Sequence, residues 1–412
     1  MSQSDRLPSV AAGPAAAGVP LFDSKRQHLA IADEISRAID NVCKSGRYVL
    51  GPECQELERA IATYSGAAHA VSCASGSDAL LLALMACNVG PGDEVLLPSY
   101  TFFATASAVW RLGARPVFVD IDPETYLIDP AHLAAQVTPA CKAVIPVHLY
   151  GQCADMPAIL KLAEQHQLTV IEDAAQAIGA ELHGRQAGAW GDMGCFSFYP
   201  TKNLGCLGDG GLLTARDANV ADRLTLLRGH GMRPRYHHQI VGINSRLDTV
   251  QAAILLAKLP HLKRWTEQRT INAARYVSLF TDFGLDRVLG LPAAAPGSRH
   301  VWNQYIIRVP DGHRDALQKH LAERQIGTEI YYPVPLHQQA CFQIAGQPYP
   351  ALPETERAAR ETLALPIFPE LAAAEQTQVV REIASFFATR QARATPLPRP
   401  KFVQHDLAAR QF

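Results

Sequence analysis

The sequence predicts an α/β protein: a large domain with a mostly parallel central sheet covered by helices, followed by a smaller C-terminal α+β domain. Three observations predict it. Short, continuously apolar runs recur between residues 68 and 198, separated by stretches with helical spacing, as in a sheet buried on both faces. The 412 residues exceed one ordinary core and set about two domains. Beyond Trp265 the alternation gives way to a different pattern.

Residues 1–19, rich in Ala, Gly, Ser and Pro, read as a flexible N-terminal segment. They lack the basic start and long apolar run of a signal peptide. The large domain is placed at 20–265, with its start free to pack on the small domain. Between Gln27 and Cys43, the residues Leu29, Ile31, Ile35, Ile39 and Val42 recur at nearly helical spacing. A second helix starts after Gly51-Pro52, where proline suits a first turn. A strand at 68–73 leads to an Ala/Leu-rich helix from Ser77 to Cys87. The turn Gly90-Pro91-Gly92-Asp93 leads to the apolar run Val95–Leu97. Further strands follow at Pro116–Val119, Ala143–Val147, Leu168–Ile171 and Cys195–Phe198. A long helix after Asp248 is marked by Val250, Ile254, Leu255 and Leu259. The small domain is placed at 266–390, with a strand at Val301–Val309 and a helix at Asp315–Gln325 that ends before Gly327. Residues 391–412, with Pro396, Pro398 and Pro400, read as a flexible tail.

Composition excludes several function classes. A formal net charge of −1 with 19% charged residues gives no pull toward nucleic acid or a membrane surface. No apolar stretch is long enough to span a bilayer. The nine cysteines form no CxxC pair, so no metal site is expected. Their odd count, without a signal sequence, fits a reducing cytoplasm.

In sheets of this kind ligands bind beyond the carboxyl ends of the strands, so the residues there carry the search for chemistry. Ser197 ends one apolar run; Lys202 follows five residues later, before the glycine-rich Gly205–Gly211. A lysine attacks a carbonyl only when its amine is neutral, which needs a pocket that lowers its pKa; otherwise such a lysine is a solvated charge. Asp173 follows the strand ending in Ile171. A carboxylate there can keep a cofactor's ring nitrogen protonated, or it can cap a helix. Gln176, close by, can reach a ring hydroxyl. The turn Ser75-Gly76-Ser77-Asp78 opens a helix whose unpaired N–H groups suit a phosphate, or it is an ordinary cap.

With these motifs in this order, the chain resembles the DegT/DnrJ/StrS aminotransferases, the sugar-nucleotide branch of the aspartate-aminotransferase fold (fold type I of pyridoxal-phosphate enzymes). The resemblance runs from about Pro20 to Phe386 through seven motifs. They are Pro98–Ala106, Val147–Gln152, Glu172–Ala177, Ser197–Gly211, Asn244–Asp248, Tyr332–His337 and Leu365–Pro369. It implies pyridoxal 5′-phosphate as cofactor, held as a Schiff base on Lys202, which also shuttles the proton. It implies Asp173 on the pyridinium nitrogen and Phe102 stacked on the ring. Gly76, Ser77 and Ser197 would bind the phosphate. Asn244 would reach the phosphate of the neighbouring subunit's cofactor, which implies a homodimer with active sites at the interface. His337, Tyr236 and His237 are expected to face substrate or to be structural.

The implied reaction moves an amino group from L-glutamate to a nucleotide-linked keto-sugar in amino-sugar biosynthesis. A 3-keto sugar is favoured over a 4-keto sugar because Thr101–Ala106 resembles the 3-amino branch. Two departures stand out. Asp209 precedes the glycine pair where many relatives carry Glu, and the paired glutamines of cyclitol aminotransferases are missing. The rivals are a pyridoxal-phosphate sugar dehydratase, which replaces the lysine with histidine, and a non-catalytic regulatory relative. A nucleotide-binding dehydrogenase is disfavoured because the glycines fall after Lys202 and not in a first strand-turn-helix.

Overall fold

The computed structural model describes residues 18–343 and 349–393. Its centre is a seven-stranded sheet of β1 (His69–Cys73), β2 (Glu94–Pro98), β3 (Arg115–Val119), β4 (Cys141–Val144), β5 (Thr169–Asp173), β6 (Met193–Ser197) and β7 (Gly211–Ala215). The spatial order is β1-β7-β6-β5-β4-β2-β3. Strand β7 runs antiparallel to both neighbours, and the other pairings are parallel.

Alternation across the pleat divides the interior into two cores. Leu96, Val144, Val170, Phe196 and Leu212 point into one, which is covered by helices Pro52–Ser65 and Met156–His166. Val95, Leu97, Ala143, Ile171, Cys195 and Leu213 point into the other, under helices Gly76–Ala86, Ala104–Arg111 and Ala218–Leu227. Both faces are covered, so the strands are apolar throughout, as the sequence suggested.

Strand β3 closes one edge. The Arg115 N–H donates to the Asp93 carbonyl at 2.9 Å, toward β2. Alternate N–H positions therefore face β2, and position 116, whose nitrogen faces outward, is a proline.

A third core belongs to the smaller domain. It gathers Tyr276 and Phe280 with Tyr305, Ile307, Leu317, Leu321, Leu363, Leu365, Val379 and Ile383. The antiparallel pair β8 (Tyr305–Arg308) and β9 (Thr362–Leu365) lies against helices Arg314–Ala322 and Ala373–Arg393. Helix Leu262–Asp282 links the two regions: Leu262 lies in the first core of the sheet, Tyr276 in the third.

Several elements differ from the sequence expectation. The helix expected over 27–43 is two helices, Ser24–Ala30 and Ala32–Ser45, that meet at Ile31. Ile31 leaves helical geometry to bury itself with Ile35, Ile254 and Trp265. The expected strand Val301–Val309 is regular only from Tyr305, since Trp302 has φ 50° and carbonyl contacts elsewhere hold 301–303. Strand β7 was not anticipated, because its five residues directly follow the glycine turn. Gly18 and Val19, expected in a flexible segment, are ordered: Val19 bridges Ile326, donates to the Gln325 carbonyl (2.9 Å) and is buried in the small-domain core. Residues 1–17, and 394–412 of the expected tail, lie outside the described residues. Among the described residues no helix is long and apolar enough to cross a membrane.

Candidate active site

At the carboxyl edge of the sheet, three stretches of backbone meet without room for side chains. A Cβ on Gly76 would lie 2.6 Å from the Ser197 Cβ. A Cβ on Gly211 would strike the Ser75 carbonyl and lie 2.8 Å from the Gly76 nitrogen. The start of helix Gly76–Ala86, the end of β6 and the start of β7 therefore form one cradle. Ser75 caps the helix by accepting the Asp78 N–H at 3.1 Å. Gly76 and Ser77 lie in the first turn, where no preceding turn supplies an acceptor for their N–H groups and the helix dipole favours an anion. Ser245 buttresses this turn, donating to Asp78 Oδ2 (2.7 Å) and accepting the Ala74 N–H (3.1 Å). Asn244, one residue earlier, is exposed.

Asp173 ends β5 and is buried. Its Oδ2 accepts from the Thr105 hydroxyl at 2.8 Å, and its Oδ1 from the Ala175 N–H at 3.2 Å. Burial raises its carboxyl pKa above the usual range, against the pull of these two donors and of Lys202. Thr105 also meets the Thr101 hydroxyl at 3.2 Å. Since Thr105 spends its hydrogen on Asp173, Thr101 is the donor there, and the three groups form a polarised chain.

Lys202 lies in the turn after β6, its N–H on the Tyr199 carbonyl at 2.9 Å. It is only partly exposed, and burial pushes its ammonium pKa down to about 8 while Asp173 pulls it up. At neutral pH roughly one amine in ten is then uncharged, against a few in ten thousand for a free lysine. Phe102, 58% exposed, presents its ring 6.4 Å from that of Tyr332. Gln176 is tied at both ends: its Oε1 accepts the Tyr150 N–H (2.6 Å), and its Nε2 donates to the Tyr332 hydroxyl (3.2 Å). One of its amide N–H groups is thus committed to Tyr332, with a second remaining for a ring hydroxyl.

The residues expected at the substrate are not gathered here. His337 is buried, with Nδ1 at 2.7 Å from the Ser99 hydroxyl and Nε2 at 3.3 Å from Glu356. Its backbone N–H donates to that hydroxyl at 3.0 Å, and because Nε2 faces a carboxylate, the neutral ring carries its hydrogen there and Nδ1 accepts from Ser99. Both ring nitrogens are engaged within the chain, an arrangement that fits a structural tie. Tyr236 (74% exposed) and His237 stand on an outer loop, with the Arg235 guanidinium 4.9 Å over the Tyr236 ring. Thr105 and Ser245 were missed by sequence reasoning. The four-residue spacing of Thr101 and Thr105 just after the strand ending at Pro98 was the one available signal for the former.

Pyridoxal phosphate fits this arrangement. The buried Asp173 carboxylate, whose two donors are neutral, matches a protonated ring nitrogen, and the glycine cradle matches a phosphate. An amine held near pKa 8 matches an aldehyde. Among the described residues no group of three or more His, Cys, Asp or Glu side chains gathers where it could hold a metal.

Comparison with known proteins agrees with the geometry. Residues 29–384 match the model of the DegT/DnrJ/EryC1/StrS aminotransferase family. The chain is 50% identical over 369 residues to a pleiotropic regulatory protein of Geobacillus stearothermophilus, covering 90% of this chain and 98% of that one. It is 46% identical over 353 residues to a UDP-N-acetyl-3-dehydro-alpha-D-glucosamine 3-aminotransferase of Acidithiobacillus ferrooxidans, covering 86% and 94%. Among solved structures, S. venezuelae DesV in complex with a ketimine intermediate superposes with a TM-score of 0.86 at 43% identity, over 90% of this chain and 99% of that one. The chain belongs to the DegT/DnrJ/EryC1/StrS aminotransferase family and is a pyridoxal-phosphate-dependent transaminase.

Proposed function

We propose that this transaminase moves the amino group of L-glutamate to a nucleotide-linked keto-sugar, with a 3-keto sugar favoured over a 4-keto one, in cytoplasmic amino-sugar biosynthesis. The observation that carries the reading is the joint placement of Lys202, with its amine held near pKa 8, and the buried Asp173 beyond the same sheet edge. The A. ferrooxidans relative, named for a 3-dehydro sugar, supports the 3-keto preference.

In this reading Lys202 holds the cofactor, and bound pyridoxal phosphate supplies an electron sink for the bond broken at the donor α-carbon. The Lys202 amine, when uncharged, would be the group that moves a proton between the donor α-carbon and the cofactor's C4′. Asp173, whose charged form the Thr105 and Ala175 donors favour against burial, would hold the ring nitrogen protonated. Phe102 would stack on the ring and Gln176 would meet its hydroxyl; Gly76, Ser77 and Ser197 would hold the phosphate. The working unit is a homodimer in which Asn244 reaches the neighbouring subunit's cofactor. Exposed Tyr48, Val49, Leu207, Tyr236 and Val241 support that assembly. Tyr236 and His237 face substrate across the interface.

A second reading, a regulatory relative without turnover, is favoured by the printed name of the G. stearothermophilus protein. An absorption spectrum before and after L-glutamate separates the two. A visible cofactor band that shifts on glutamate and is missing in Lys202→Ala supports the transaminase reading. Turnover with UDP- or dTDP-linked 3-keto sugars above that with 4-keto sugars supports the substrate. A band that glutamate leaves unchanged refutes the donor. An unsaturated product without glutamate consumption indicates a dehydratase.

A further inference from the structure

Lys202 sits on no regular element. Its loop runs from residue 198 to 210, with ends joined by the Ser197–Gly211 pairing of β6 and β7. Side chains from elsewhere hold the middle. Lys258 Nζ donates to the Gly205 carbonyl at 2.6 Å, and Gln251 exchanges two hydrogen bonds with the Leu207 backbone at 2.9 and 3.2 Å. The nearest such tie to Lys202 is at the next residue. Asn203 is 4% exposed. Its Nδ2 donates to the Val301 carbonyl at 2.9 Å, and its Oδ1 accepts from Asn303 Nδ2 at 2.9 Å. A carbonyl partner demands the NH2 end and an amide NH2 partner demands the oxygen end, so only one orientation of the Asn203 amide satisfies both.

The anchor for this amide is rigid. Val301 and Asn303 donate their N–H groups to the Gly151 and Tyr150 carbonyls, each at 2.9 Å. Arg269, fully buried, donates to the carbonyls of Trp302 (3.0 Å) and Ile367 (2.9 Å). A Cβ on Gly151 would lie 2.8 Å from Val301 Cγ2, so the strap cannot settle closer. The strap leads directly into β8 of the small domain. Tyr150, which accepts from it, also gives its N–H to Gln176 in the site.

We propose that Asn203 is the positioning residue for Lys202: its buried amide, clamped between Val301 and Asn303, fixes the lysine turn against the entry to the small domain. The proposal rests on the reading of Lys202 as the cofactor-bearing residue. Removing the clamp frees the turn by a fraction of an ångström or more and admits more water around the partly exposed Lys202, whose charged form burial now disfavours. A misplacement of this size costs up to about 100-fold in rate when geometry is the main demand.

The test uses the holoenzyme. Asn203→Ala is expected to lower kcat about 10- to 100-fold while KM for the amino donor stays within about twofold. The pH midpoint of the visible cofactor band is expected to rise by about half a unit or more as the desolvation of the nitrogen relaxes. Asn303→Ala, which leaves the Val301 contact in place, gives changes of the same sign and smaller size. It carries the test alone if Asn203→Ala does not fold. A wild-type kcat and band midpoint in both variants overturns the proposal. So does a lower thermal midpoint with unchanged band midpoint and kcat, which marks a structural role only. Lys202→Ala in parallel separates the two levels. If it keeps the band, the reading of Lys202 fails and this proposal with it; if it loses the band while both asparagine variants behave as wild type, only the positioning role fails.

Discussion

Replacing Thr105 with valine removes one hydroxyl and preserves shape. The lost group is the donor to Asp173 Oδ2 at 2.8 Å, at a fully buried position. A hydrogen bond to a charged partner contributes about 1.5–3 kcal/mol, and one to a neutral partner about 0.5–1.5. Thr105→Val therefore weakens the charged form of Asp173 by about 1 kcal/mol more than the neutral form, which lifts its pKa by roughly a unit. Burial already raises that pKa in the folded protein. A carboxyl raised on folding contributes stability at low pH, where it is protonated in both states, and loses it as pH climbs from the unfolded value through the folded one. In the variant this loss is deeper and extends to higher pH. Urea unfolding of the cofactor-free parent and variant from pH 4.5 to 8.5 should show a stability gap that widens with pH by about 1 kcal/mol. A gap constant across the range would mean that the hydroxyl does not act on the charge of Asp173, and the polarised Thr101–Thr105–Asp173 chain would have to be abandoned.

Two further outcomes follow from the same geometry. Gly211→Ala drives a methyl into the Ser75 carbonyl, where backbone must move. Overpacking of about 1–3 kcal/mol is expected as a lower thermal midpoint, together with weaker cofactor binding in an absorbance titration; unchanged binding would separate the cradle from the phosphate. Glu172→Gln sets an amide NH2 against two of four donors. Oε1 accepts the Trp190 and Gly191 N–H groups (both 2.7 Å), and Oε2 accepts Gly188 N–H and His148 Nε2 (both 2.8 Å). His148 cannot adapt by changing tautomer, because its Nδ1 already accepts the Ala154 N–H at 3.1 Å. A loss of at least about 2 kcal/mol in urea unfolding is expected, and a loss below half of that would refute this account.

What the sequence disclosed was whatever lies along the chain in a fixed pattern. The parallel strands were legible because burial on both faces makes them continuously apolar, and Asp173 and Lys202 were legible because they sit at or just past strand ends. Strand β7 was not, since Gly211–Ala215 merges with the glycine turn. Thr105 and Asn203 were not, because their partners lie 68 and 100 residues away, at Asp173 and Asn303. His337 could be seen as polar and close to other motifs, but its burial on Ser99 depends on a separation of 238 residues. Charge and polarity mark a residue as worth attention; only packing decides whether it faces a ligand or a neighbour.

Proline at position 116 bears on how the protein survives at high concentration. An edge strand offers a spare row of donors and acceptors on which a strand of another molecule can grow. In β3 the outward nitrogen of residue 116 carries no hydrogen, so the row is interrupted at its second position. Tyr349 packs beside this strand, its ring 4.7 Å from that of Phe118 and 6.0 Å from the Arg115 guanidinium. An arriving strand would find a missing donor, so this margin of the sheet resists templated aggregation.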